Sequence, residues 1–347
     1  MNFINIKDYG ASPEKHDNWQ PITDAIAAAQ QTSCRVYVPG KKYGARYHVS
    51  KPIIVPQYTR LIGDGPTLSI IRALPEFPFD DTGNVAVLIQ EADYKSGEAL
   101  GSMVVSYTKP SRMGRIWLDD LAVDGADLPN SNGILACLQQ PAIWRSPRVQ
   151  GCTGKYGLCL MEGQQAIIEN AMLVYNSCEA PLRIRGHSFL TFRGFNSEGN
   201  KSPREVLIER GPGNYVAGSF NTAFYDTHIE MRGTTKAFEI TAGRQFLWVN
   251  TFIGVPGVSS IAWDFSGMLA YDEPETRAAV YEMLGIQIGG NPELCTLIKD
   301  PMRGGYAPNA YTDHKGFLPF LSSGNHNWTL PPNAIITPHH DGTVGRL

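Results

Sequence analysis

The chain lacks any run near the roughly 18 apolar residues that a membrane-spanning helix requires, so no membrane span is expected. It also lacks a dominant charge sign. Thirty Lys and Arg against 33 Asp and Glu leave a net charge of −3, with no strong basic run. That balance argues against a nucleic-acid partner. Cysteine is sparse and unpatterned: Cys34, Cys137, Cys152, Cys159, Cys178 and Cys295 form neither a CxxC nor a zinc-type spacing. Buried free thiols are expected, because cysteine behaves as a small apolar residue. No cofactor or metal is expected either. Charged residues make up only 18% of the chain and apolar residues 42%, which excludes a disordered polymer. The first residues lack the basic, apolar and small segments of a secretion signal: either export is not by that route, or the sequence is trimmed at that end, or the protein leaves a cell by lysis.

What is present is a repeated phrase of alternating residues that closes on glycine. It ends at Gly163, Gly186, Gly211, Gly243 and Gly267, in steps of 23, 25, 32 and 24 residues. A period in this range marks a repeat architecture. Each unit carries an apolar face at period two, which is a strand signature. One strand cannot bury that face alone, so each unit must stack on the next. The 35 glycines and 24 prolines supply the turns between strands. The fold predicted is all-β: a right-handed parallel β-helix.

The beginning of the chain has its own order. Ile4 to Ala11 alternates and ends in a turn, and Gln20 to Gln31 reads as a helix with Ile22, Ile26 and Ala29 on one face. Arg35 to Gly40, Tyr47 to Val55, Thr59 to Gly65 and Ser69 to Arg72 then read as short strands. An amphipathic helix at this end would cap exposed strand edges and core. The succession "KDYGA", "ITDAIAAA", "VYVPG", "LIGDG" over residues 3 to 72 resembles the pectate-lyase-like β-helix superfamily. That group includes polygalacturonase-related glycosidases, polysaccharide lyases, mannuronan epimerases and phage tailspike depolymerases. Of the glycine-aspartate pair the group carries ahead of the helix, only Asp17 is present. The epimerases' "DPH" signature is absent, and so is the polygalacturonases' ordered "NTD", "DD", "GHG" set, so the chemistry must be sought elsewhere.

Aligned upstream of the glycine-ended strands, a second column starts at Leu121, Pro147, Met172, Gly194 and His228. It turns Asp124, Gln150, Tyr175, Asn196 and Glu230 outward as a polar ladder with one aromatic, suited to the hydroxyls and faces of a sugar polymer. The densest group is Asp226-Thr-His-Ile-Glu230, whose Asp226, His228 and Glu230 share one face of a strand. Glu198, on the preceding rung, is expected roughly 8 Å from Glu230. That separation suits an inverting glycosidase, with one carboxyl as acid and one as base. A solvated charged face and a metal site are competing readings of the same residues. Asp119, Asp120, Asp124 and Asp127 form a second acidic group, read as a strand ending in an Asp-Gly turn.

Arg183 and Arg185 stand on the outer face of a glycine-ended strand, and guanidinium forks recognise carboxylates. With His187, His228, Arg193 and Tyr175 they would serve β-elimination on an acidic polymer. Trp144, Trp248 and Trp263 are further candidate sugar platforms, although Trp263 falls on the inward pattern.

The organisation expected is one structural domain in four parts. Residues 1–75 form the cap and first coils, and 76–113 a loop-rich insertion. Residues 114–267 form the central coils, and 268–347 a helix (Glu275 to Leu284) with an irregular tail. The function the resemblance implies is depolymerisation of a bacterial surface or acidic polysaccharide. Glu230, Glu198, Asp226 and His228 would be catalytic. Asp124, Gln150, Tyr175, Asn196, Arg183 and Arg185 would bind sugar. A lyase on the same fold and a non-catalytic glycan-binding tail protein are the alternatives. Resemblance to tailspikes further implies a homotrimer that is extracellular or virion-associated.

Overall fold

Among the described residues period-two strands follow one another from Phe3 to Lys299, and those that pair lie parallel to their counterparts one repeat later. The computed structural model describes residues 2–83, 85–90, 116–136, 138–161, 163–211, 219–256, 258–267, 281–290, 295–299, 336–338 and 344–346. Its strands fall into three columns, visited in order once per coil, which makes a parallel β-helix.

The first face includes Arg60–Gly63, Trp117–Asp119, Gln164–Glu169 and Ser188–Arg193. The second includes Ala122–Asp124, Arg148–Gln150, Met172–Val174 and Asn196–Glu198. The third includes Tyr156–Met161, Ala180–Arg185, Arg204–Glu209 and Lys236–Ile240. On the third face Leu158, Leu182, Val206, Phe238 and Trp263 stand side by side, the alignment that the glycine-ended phrase predicts.

The first and second faces meet at a two-residue corner. One residue per coil takes the left-handed conformation there: Asp120, Ser146, Asn170, Gly194, Asp226, Asn250 and Gly285, with φ between 47° and 66°. Asn, Asp and Gly tolerate that region best, which explains their recurrence. The corner amides continue the ladder, as Asn170 N–H donates to Arg193 O and Gly194 N–H to Tyr225 O. The long strands Ser219–Glu230 and Gly243–Val255 pass through this corner, so each serves two faces.

At the turn from second to third face, buried asparagines stack instead. Asn176 Oδ1 accepts from Cys152 N–H at 3.1 Å, and Asn200 Oδ1 from Asn176 N–H at 2.8 Å. The stack ends on Glu205, fully buried, whose carboxyl accepts from Ser197 Oγ, Asn200 Nδ2 and Thr234 Oγ1. Burial holds its pKa above the ordinary value.

Inside the coil, aromatic rings stack rung on rung. Phe192 and Phe224 lie 4.9 Å apart at 5°, and Phe224 and Trp248 6.3 Å apart at 4°. Trp144, Trp248 and Trp263 are all fully buried, so they are core and not sugar platforms. Cys152, Cys159 and Cys178 are buried free thiols, as expected; burial pushes the Cys159 and Cys178 thiols up to about 12.

The helix Trp19–Thr32 closes the N-terminal end, with Ile22, Ala25, Ile26 and Ala29 turned onto the first coil. Leu88–Gln90, within the stretch read as an insertion, is a strand of the third face. The expected helix at Glu275 to Leu284 needs correction: Tyr281–Leu284 is a strand pairing with Phe246–Val249. Met283 is fully buried, and pairing there outweighs local helix preference. The rest of that segment, like most of the tail, lies outside the described residues. Within the tail, Ile336–Pro338 and Val344–Arg346 pair antiparallel.

Candidate functional site

The two-residue corner fixes what the second face presents. From Ser146 onward, each corner residue is followed two positions later by a residue of one column on the outer side: Arg148, Met172, Asn196, His228, Phe252 and Gln287. Two residues further lies a second outward column of Gln150, Val174, Glu198, Glu230 and Gly254. Between them Val149, Leu173, Ser197, Ile229 and Ile253 point inward and are buried.

This register brings Glu198 directly opposite Glu230 and Asn196 opposite His228. Register neighbours on adjacent strands are about 4.8 Å apart, closer than the diagonal expected from sequence. The Glu230 carboxylate lies 3.5 Å from His228 Nε2 and 3.6 Å from Arg232. His228 stacks on Phe252, with ring centroids 4.9 Å apart at 20°. Glu198 makes no ion pair among the described residues. Asn196 Oδ1 is buried without a hydrogen-bond partner, one residue from Ser197 and two from Glu198.

Tyr175 sits at the start of the next turn with 60% of its surface exposed. Its N–H donates to Glu198 O at 3.1 Å, and its ring lies over Gly199. A Cβ on Gly199 would come within 2.8 Å of that ring, and φ there is +69°, so glycine is what lets the ring lie flat beside Glu198. Asp226 occupies the left-handed corner, exposed, and accepts a 3.0 Å hydrogen bond from Asn250 Nδ2. It therefore stands beside the His228–Glu230 strand face, not on it.

Other sequence candidates are placed elsewhere. Asp124 is buried against Arg72 at 2.7 Å, and Gln150 Nε2 donates to it at 3.0 Å. Gln150 in turn accepts from Arg148, so both ladder residues are bound internally. Asp119 is paired with Arg60 and Arg145, Asp120 is a corner residue, and the four acids do not converge. Arg183 and Arg185 project from the third face, where Glu209 pairs with both, at 2.6 and 2.9 Å. They share no face with Glu198 and Glu230. His187 is fully buried against Gly163, and burial lowers its pKa to about 4.

The site thus gathers Glu198, Glu230, His228, Asn196 and Tyr175, with Arg232 and Phe252 added. Those two were legible as the residues following Glu230 and Asn250 once the corner spacing was applied. Among the described residues no group of three or more His, Cys, Asp or Glu is placed to hold a metal ion.

A three-faced parallel coil bearing an outward polar and aromatic stripe defines a β-helix of the pectate-lyase-like class. The chain belongs to the rhamnogalacturonase A/epimerase, pectate lyase-like family, whose model matches residues 3–253. No curated protein matches the sequence. Among solved structures it is similar to the Agl-KA catalytic domain, with 13% identity, TM-score 0.55, 86% of this chain and 48% of that one covered. It is similar also to the tailspike protein of an Acinetobacter phage, with 11% identity, TM-score 0.52, and 86% and 55% covered. The A-module of an Azotobacter vinelandii mannuronan C-5 epimerase aligns at 12% identity and TM-score 0.49 over 82% and 86%. The chain spans about half the length of the first and second of these. At such identities the likeness is one of fold. No helix among the described residues is long and apolar enough to cross a membrane.

Proposed function

We propose that the chain acts on a polysaccharide and hydrolyses its glycosidic bonds with Glu198 and Glu230. The observation that carries this is the register: the two carboxylates stand opposite one another on adjacent rungs of an outward face. A backbone spacing near 4.8 Å lets two side chains on the same face approach the about 5–5.5 Å carboxyl separation of retaining glycosidases, which is why the retaining reading is preferred to the inverting one at about 6.5–9.5 Å. Glu230, with His228 and Arg232 beside it, is the nucleophile. Glu198, without an ion pair, donates the proton to the leaving oxygen and then activates water. Tyr175 supports a sugar face, Asn196 and His228 meet hydroxyls, and Asp226 orders the corner beside them. In the same reading Gln150 lends its outer edge to the groove, while Asp124 holds Gln150 from below.

Family membership and tailspike-like fold favour a polymeric glycan and an extracellular or virion-associated setting with three copies assembled. The third-face arginines, both paired with Glu209 and on a different face from Glu198 and Glu230, do not favour β-elimination. The test is incubation with a panel of capsular, exopolysaccharide and pectic polymers. New reducing ends without ultraviolet absorbance are expected. Glu198→Gln and Glu230→Gln are each expected to lower that rate by about 10²-fold or more. Absorbing, unsaturated ends, or rates unchanged in both variants, would refute the assignment; binding without cleavage would mark an adhesin.

A further inference from the structure

Around the turn from the Glu198–Glu230 face lies a cleft of about 330 Å³, within the size range of small-ligand sites. Its walls come from the second-to-third-face turns of successive coils, with Asn130, Lys155, Ser177 and Glu179 on the turns and Asp80 and Asp81 opposite. Adjacent turns rise by one rung, so the cleft runs along the coil axis as a polymer would.

We propose that this cleft binds a short segment of a neutral glycan, N-acetylated sugars included, and forms an extension of the proposed catalytic groove. The inference rests on the polysaccharide reading above and names the class of sugar. Continuity is the first argument. Ser177 lies two residues beyond Tyr175, and Pro203, also in the lining, five beyond Glu198. The lining of the cleft therefore begins within two residues of Tyr175.

Free polar groups are the second argument. Asp81, Asn130 and Ser177 are exposed, and their side chains bond to no other among the described residues. They offer carboxylate, amide and hydroxyl groups to sugar hydroxyls and acetamides.

Charge is the third argument. Lys155 Nζ, the one cation among the lining residues, lies 2.6 Å from Glu179 and is already paired. Asp80 and Asp81 leave the cleft net negative. A uronate carboxylate would meet like charge and no free cation, which raises the cost of entry. The same holds at the neighbouring face, where Glu198, Glu230 and Asp226 outnumber Arg232. This departs from the acidic polymer that Arg183 and Arg185 suggest in sequence.

The test is binding of the full chain to an array of neutral, N-acetylated and uronate-bearing bacterial oligosaccharides, with calcium chloride titrated separately by calorimetry. Retention of neutral or N-acetylated oligosaccharides is expected. Ser177→Trp, which fills the cleft from an exposed position, is expected to weaken it at least tenfold. Asp81→Ala with Asn130→Ala is expected to weaken it several-fold, and gives the readout should Ser177→Trp lower the melting temperature. Preference for uronate ligands, no retained oligosaccharide, unchanged binding in both variants, or stoichiometric calcium binding lost in Asp81→Ala would each overturn the proposal. Failure here is distinct from failure of the catalytic pair. Oligosaccharide retention that Ser177→Trp weakens supports the cleft whether or not cleavage is lost in Glu230→Gln, and cleavage that survives Glu198→Gln and Glu230→Gln leaves the cleft standing.

Discussion

Glu198 and Glu230 are brought together by backbone register, 32 residues apart in sequence and opposite in space. Tyr175 sits next to Glu198 through its N–H to Glu198 O, and Gly199 leaves room for its ring. Tyr175→Ala is therefore expected to raise KM with kcat held, which steady-state kinetics on the cleaved polymer would show. A different residue governs acid stability. His187 is buried and its pKa is lowered from the ordinary 6.5 to about 4. The unfolded chain then binds the proton more readily, so stability is full above pH 6.5 and falls as pH drops through the window to 4. The loss amounts to roughly 3 kcal/mol at most. Denaturant unfolding at pH 7 and pH 4.5 measures it, and His187→Gln is expected to flatten the difference.

The repeating strands were legible because burial on one face imposes period two, and the glycine that ends each unit marks the phase. The same phrase placed five of the third-face strands in their observed register. The middle column was harder to read. Placing Gly194 in its strand and Tyr175 within its ladder slips the reading by one residue, since each is a left-handed turn residue in the structure. The signal that fixes the phase is the Asp, Asn or Gly (Ser146 in one coil) two positions ahead of each strand, a spacing dictated by the two-residue corner. Pairing of Asp124 with Arg72 joins coils 52 residues apart, and no local pattern announces it. At the opposite turn the asparagine stack supplies buried backbone with partners. Asn200→Ala would leave Leu173 O, Asn176 N–H and part of Glu205 unpaired, a loss of about 1–3 kcal/mol for such a group. Urea denaturation is the check.

Across the whole coil, stability comes from stacking each rung on the next, and the aromatic column is its densest part. Trp248 is fully buried, stacked on Phe224 and edge-on to Phe238 and Trp263. Trp248→Ala is expected to cost about 3–5 kcal/mol in equilibrium unfolding, as for other large core truncations. A rigid rod of this kind turns register into chemistry, since side chains one rung apart are held at a fixed spacing along an outer groove. The central claim is that Glu198 and Glu230 form a close catalytic pair. Proton NMR of the first anomer released from a cleaved polymer tests it most directly. Retention of anomeric configuration, lost together with cleavage in Glu230→Gln, is the predicted result; an inverted first product, or retention that persists in Glu230→Gln, would contradict it.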